Sequence, residues 1–142
     1  MKNNKMLTPI ITAFICLFSL SAKTQVFEIE ISDIRINKGE VKVAIFNSEK
    51  DWLENPYRTL TFDSTEKSKV ISFDIPYGIY AVSIYQDTNG NDELDTNFLG
   101  IPKEPIAFGN NYKPFGKPDF KSAAIEFRSN YKIPVLKLYT IL

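Results

Sequence analysis

The chain of 142 residues carries 17 basic and 17 acidic side chains, no histidine and one cysteine, and 44% of it is hydrophobic. That length is one domain's worth, with enough apolar residues for a single core. The one cysteine, Cys16, lies inside an apolar N-terminal run, so the remainder has neither thiol nor imidazole; this excludes disulfide stapling, Cys- or His-assisted nucleophiles and nearly every protein zinc site.

Residues 1–24 read as a secretory signal peptide: "MKNNKM" is a short basic start and "LTPIITAFICLFSLSA" an apolar core. The core is shorter than the roughly 20 apolar residues a spanning helix needs, and Pro9 sits near its start, so a membrane anchor is the weaker reading. Small residues in Ser19-Leu20-Ser21 and Leu20-Ser21-Ala22 offer cleavage near Ala22 or Gln25. A lipidated cysteine would end the apolar run, whereas Cys16 is followed by "LFSLSA", which argues against a lipoprotein. Removing residues 1–24 takes Lys2, Lys5 and Lys23 and no acid, so the expected mature domain, 25–142, has three fewer than the 17 basic residues and all 17 acidic ones. A mildly acidic surface argues against nucleic acid or an anionic membrane as partner, and the mature chain has no membrane-spanning run. The expected location is exported, periplasmic or extracellular.

Period-two alternation then dominates. "VFEIEISDI" (26–34) sets Phe27, Ile29 and Ile31 against Glu28, Glu30 and Ser32, and "EVKVAIF" (40–46) sets Val41, Val43 and Ile45 against Lys42 and Ala44. Asn37-Lys38-Gly39 between them predicts a hairpin. "SEKDWLENP" is the one helix-like stretch, with Ser48 as N-cap, Asp51 three residues on and Pro56 as a stop, long enough for one or two turns. Trp52 and Leu53 are expected to cover an open end of the core. "TLTFDS" (59–64) is a further candidate strand, and "KVISFDI" (69–75) puts Ile71, Phe73 and Ile75 on one face. "IYAVSIYQD" (79–87) is apolar on both faces, as a central strand would be. "AAIEFR" (123–128) and "IPVLKLYTI" (133–141) are joined by Ser129-Asn130-Tyr131, and Pro134 should keep the last strand at an edge. Short strands, tight turns and almost no helix predict an all-β fold: a single antiparallel β-sandwich of transthyretin- or immunoglobulin-like architecture, with one long irregular loop from Asp87 to about Phe120. Loops of that length in a compact domain tend to be functional.

That loop opens with "DTNGNDELD" (87–95), oxygen donors on alternate positions. Calcium takes six to eight hard oxygens, and a tightly turning chain delivers them from positions 1, 3, 5 and 9, with a backbone carbonyl at 7. Counting from Asp87, those positions are Asn89, Asn91, Asp95 and, for the carbonyl, Glu93. Three features depart from an EF-hand: Asp92 replaces the glycine at position 6, Phe98 replaces the bidentate glutamate at position 12, and no long helices flank the loop. Gly90 can supply the bend, and Asp92 or Glu104 could close the coordination shell. The competing reading is a solvated turn, since Asn89-Gly90 is a strong hairpin signal. Against it, "NDELDTN" supplies no second apolar arm and the clustered acids repel one another.

The rest of the loop carries Phe98, Phe108, Tyr112, Phe115 and Phe120, stiffened by Pro102, Pro105, Pro114 and Pro118. These aromatics either fold back as a satellite core or form a binding platform with Phe108, Asn110, Asn111 and Tyr112 as contacts, for which carbohydrate is the natural ligand.

"GIYAVSIYQDTNGNDELDTNFLGIPKEPIAFGNN", followed by "GKPDFKSAAIEF", resembles the bacterial secreted proteins of domain of unknown function 2141. The resemblance rests on Gly78, Tyr80 and Ala81, on Asp87, Asn89, Asn91 and Asp95, on Gly100, Ile101, Pro102 and Glu104, and on Phe108, Asn110 and Asn111. Gln86 stands where that family commonly has histidine, and Pro105-Ile106-Ala107 replaces a glycine-containing stretch. The resemblance implies a small envelope β-sandwich and brings no activity with it. The leading functional expectation is a binding or structural module, with calcium ordering the loop and lowering the entropic cost of binding a carbohydrate or an envelope protein. The alternative is a carboxylate-dependent hydrolase acting on glycans, which needs two carboxylates about 5–9 Å apart. A third reading is assembly through an exposed strand edge.

Overall fold

The computed structural model describes residues 23–141; the expected signal peptide lies, but for its last two residues, outside them. Among the described residues eight strands form two sheets: β1 (Gln25–Ser32), β2 (Glu40–Phe46), β3 (Arg58–Asp63), β4 (Lys69–Ile75), β5 (Gly78–Asp87), β6 (Ile106–Phe108), β7 (Ala124–Phe127) and β8 (Val135–Lys137). One sheet has the order β4-β1-β8. The other has the order β3-β2-β5-β6, with β7 beside the first half of β5. All pairings are antiparallel except β1 with β8, which run parallel with Glu30 opposite Val135.

Alternation builds the core. Phe27, Ile29 and Ile31 of β1, Val41, Val43 and Ile45 of β2, Ile71, Phe73 and Ile75 of β4, Val82 and Ile84 of β5 and Phe127 of β7 meet in one buried cluster. Strand β5 is central, as its two apolar faces predict. Its other face supports a second cluster: Phe46, Trp52, Ala81, Ile106, Phe108 and Ala123. The β8 strand closes its sheet at an edge beside Pro134, as expected.

Several expectations are corrected. Strands β1 and β2 do not form a hairpin: they lie in different sheets, and residues 33–39 cross the sandwich between them. Their apolar faces oppose each other through the core, which satisfies the same alternation without a shared ladder. Gln86, fully buried, holds the crossing. Its Oε1 accepts from Arg35 N (3.0 Å), and its Nε2 donates to the carbonyls of Arg35 (2.7 Å) and Lys38 (2.8 Å). The short helix is present as a single 3-10 turn, Glu49–Asp51, but the Ser48 side chain makes no capping bond, and Leu53, two residues past the turn, has φ 63°. Trp52 is buried and donates from its indole to Pro118 O (3.0 Å), whereas Leu53 is exposed. The loop after Asp87 is not irregular as far as Phe120. It ends at β6, which pairs with β5 and is followed by a 3-10 turn, Gly109–Asn111.

Candidate metal centre

Asp87 ends β5 opposite Glu40 of β2, and its side chain is only 1% exposed. Its Oδ1 accepts from Gly90 N (2.7 Å) and Asn91 N (3.3 Å), and its Oδ2 from Asp92 N (2.8 Å). The next two alternate residues repeat the pattern on a shorter span. Asn89 Oδ1 accepts from Asn91 N (3.2 Å), and Asn91 Oδ1 accepts from Glu93 N (3.0 Å). Short polar side chains that bond the backbone two residues on wind a chain tightly, and residues 87–93 form such a coil. Gly90 has φ 73°, and Asp92, at the sixth position, has φ 64°, the left-handed bend for which a glycine is the easier residue.

The coil turns Asn89 and Asn91 toward Asp95. Asn89 Nδ2 donates to Asp95 Oδ2 (2.6 Å), and Asn91 Nδ2 donates to both Asp95 oxygens (3.2 and 3.3 Å). Four of the five residues predicted as ligands, Asp87, Asn89, Asn91 and Asp95, thus share one hydrogen-bond network. Glu93 enters it only through its N–H. Among the described residues no three His, Cys, Asp or Glu side chains group together, because two of the alternate donors here are amides. An amide presents a carbonyl oxygen at one end and NH₂ at the other. A cation beside Asp95 would therefore require Asn89 and Asn91 to rotate their oxygens inward, with Asn89 releasing the Asn91 N–H.

The two residues considered for closing the shell have other partners. Asp92 pairs with Lys42 Nζ (2.6 Å), which also reaches Glu40 (3.4 Å); the hydrogen bond that Lys42 donates to Asp92 holds the ammonium above its ordinary range. Glu104, 3% exposed, braces the loop from the inside. Its Oε1 accepts from Thr88 N (2.7 Å) and Thr88 Oγ1 (3.0 Å), and its Oε2 from Asp95 N (3.1 Å), so one carboxylate ties both ends of the coil. From sequence Glu104 reads as a candidate ligand; the signal for a structural role is its place two residues after Gly100-Ile101-Pro102. Beyond Asp95 the loop folds back on itself rather than onto β5. A narrow ribbon runs through Lys103 N to Asp95 O (2.9 Å) and the Thr96–Pro102 bridge to a tip closed by Asn97, whose Oδ1 accepts from Leu99 N (2.9 Å) and Ile101 N (3.0 Å).

Burial alone would push the Asp87 carboxyl up, but the N–H groups of Asp92, Gly90 and Asn91, helped by the charge on Lys42, hold it below the usual carboxylate range. A carboxyl depressed in the folded state stabilises the fold above its unfolded value, near pH 4, and loses that contribution as pH falls through the folded value. The stability difference between wild type and Asp87→Asn should therefore be constant at neutral pH and shrink below about pH 4. Urea melts at a series of pH values read this directly, and a difference that stays flat to pH 2.5 would contradict it.

The aromatic segment divides. Phe108 is buried against Trp52 and Tyr112, Phe120 meets Trp52 edge to face, and Phe98 and Phe115 are exposed. Asn110 donates to the carbonyls of Ser122 (3.2 Å) and Ala124 (2.7 Å). Asn111 donates to Val135 O (2.8 Å) and accepts from Lys137 N (2.8 Å). Of the four predicted contact residues, Phe108 lies in the second core, the two asparagines tie the corner to β7 and β8, and Tyr112 is half-buried.

A family model described as an uncharacterized protein conserved in bacteria (DUF2141) matches residues 29–133, from β1 past β7 and across the whole 87–104 loop. No curated protein and no solved structure matches the chain.

Proposed function

The chain belongs to the bacterial family DUF2141, and from that membership and the loop geometry we propose that it is an exported β-sandwich module whose 87–95 loop binds one calcium ion. The supporting observation is the convergence of Asp87, Asn89, Asn91 and Asp95 in a coil whose sixth residue, Asp92, takes the left-handed bend such a loop requires. The metal would replace the three amide-to-Asp95 bonds and draw the amide oxygens and carboxylates together. That would fix the ribbon carrying Phe98 and Leu99, 94% and 67% exposed, as the surface offered to a carbohydrate or an envelope protein. The hydrolase reading finds no support in the two buried acids of the loop, Asp87 and Glu104, whose oxygens are engaged by N–H and O–H donors.

With few carboxylates and no bidentate glutamate, the dissociation constant should be ~10⁻⁴ to 10⁻³ M, as in extracellular modules. Calcium at ten times that constant would then stabilise the fold by about 1.4 kcal/mol. The test is calorimetry and thermal melting, with and without calcium, on protein recovered from the cell envelope, whose N-terminus the export reading puts between Ala22 and Val26. Asp87→Ala should abolish the gain, and Asp63→Ala, outside the loop, should keep it. Absence of binding heat together with an unchanged melting temperature would refute the calcium site.

A further inference from the structure

The chain contains one Asn-Gly pair, Asn89-Gly90, and it lies at the exposed crown of the coil. In such a pair the backbone nitrogen of the glycine attacks the asparagine side-chain carbonyl, Cγ. The N–Cγ bond forms, the Cγ–Nδ2 bond breaks, the backbone N–H proton leaves with the amide as ammonia, and a five-membered succinimide results. Water then opens either carbonyl of that ring to give aspartate or isoaspartate. Glycine is the most permissive partner because no Cβ shields its nitrogen, and both Asn89 and Gly90 are exposed to the water that opens the ring.

The hydrogen bonds of the folded loop oppose each part of this step. The attacking nitrogen, Gly90 N, donates to Asp87 Oδ1 at 2.7 Å, and removing its proton would leave a negative nitrogen against a buried carboxylate. The departing nitrogen, Asn89 Nδ2, is held by Asp95 Oδ2 at 2.6 Å, and Asn89 Oδ1 is held by Asn91 N at 3.2 Å, which together fix the carboxamide away from rotation. We propose that Asn89 is a latent site of spontaneous deamidation, held closed by Asp87 and exposed to reaction only when the coil opens.

The proposal needs no metal. Where the loop does take calcium, conversion to aspartate adds a carboxylate at the third position, whereas isoaspartate lengthens the backbone there and misplaces it; age of the protein would then alter its affinity. The experiment incubates the purified protein and its Asp87→Ala variant at pH 7.5 and 37 °C, with chelator present throughout. Peptide mapping by mass spectrometry follows the one-dalton gain at Asn89, with Asn110 and Asn130 as internal references. The expected result is at least a tenfold faster conversion at Asn89 in Asp87→Ala than in wild type, with the references unchanged. Equal rates in the two folded proteins would overturn it. Should the variant fail to fold, wild type is compared in buffer and in denaturing urea: at least tenfold slower conversion in buffer supports the latch, and equal rates overturn it.

Discussion

Glu104→Ala is expected to destabilise the protein by about 3 kcal/mol, because it removes a buried charged acceptor and strands the donors it held. The side chain receives Thr88 N, Thr88 Oγ1 and Asp95 N, and both backbone donors lie partly out of water's reach. At this chain length the melting temperature should fall by roughly 10 °C. Glu104→Gln keeps a carbonyl oxygen for Thr88 and gives up one acceptor at Asp95, so its cost should be nearer 1 kcal/mol. The glutamine variant separates loss of the acceptor from loss of volume. Urea denaturation of the three proteins is the measurement, and an alanine variant within 0.5 kcal/mol of wild type would mean that water replaces the brace without loss.

Gly39→Ala should be comparably severe for a different reason. Gly39 has φ 68°, and a Cβ there would fall 1.8 Å from the carbonyl oxygen of Asp87, a backbone atom fixed in the β2–β5 ladder. Left-handed strain and overpacking together cost about 3 kcal/mol or more. The displacement is imposed on the residue that starts the coil, so the variant should also lose the calcium response proposed for wild type. A variant that melts within 2 °C of wild type would show that the crossing from β1 to β2 can shift aside. Ser64 makes that unfavourable, since its Oγ donates to Gly39 O (2.7 Å) and accepts from Lys38 N (3.0 Å).

The strands were legible because alternation is a local signal. Residues 40–46 and 69–75 have the bounds read from sequence, and Ile29, Val43 and Phe73, each on the apolar face that alternation gives its strand, are buried together with Val82 and Phe127. Neighbours were not legible. Alternation says which side of a strand is apolar and nothing about which strand lies beside it, so Asn37-Lys38-Gly39 read as a hairpin although β1 and β2 face each other across the core. The loop divides in the same way. The spacing of Asp87, Asn89, Asn91 and Asp95 was visible, and the fold brings those four together. What positions them was not visible, because Lys42 meets Asp92 from 50 residues away and Glu104 meets Thr88 from 16. Asn110 and Asn111 read as ligand contacts because exposed polar residues beside aromatics resemble a binding platform. Their left-handed φ of 58° and 53° and their bonds to β7 and β8 also let them turn a corner, which the sequence does not show.

The parallel pairing of β1 with β8 has a kinetic consequence. The first strand finds its partners at β4, about 40 residues on, and at β8, more than 100 residues on, with nothing adjacent in sequence to pair with. Closing loops of that length precedes any reward from contact, which places folds of this kind among slow folders. The sheet around β1 is therefore expected to assemble late, and until it does, the end of the domain nearest the expected export signal would stay unfolded, the form in which a polypeptide can be threaded through a narrow pore.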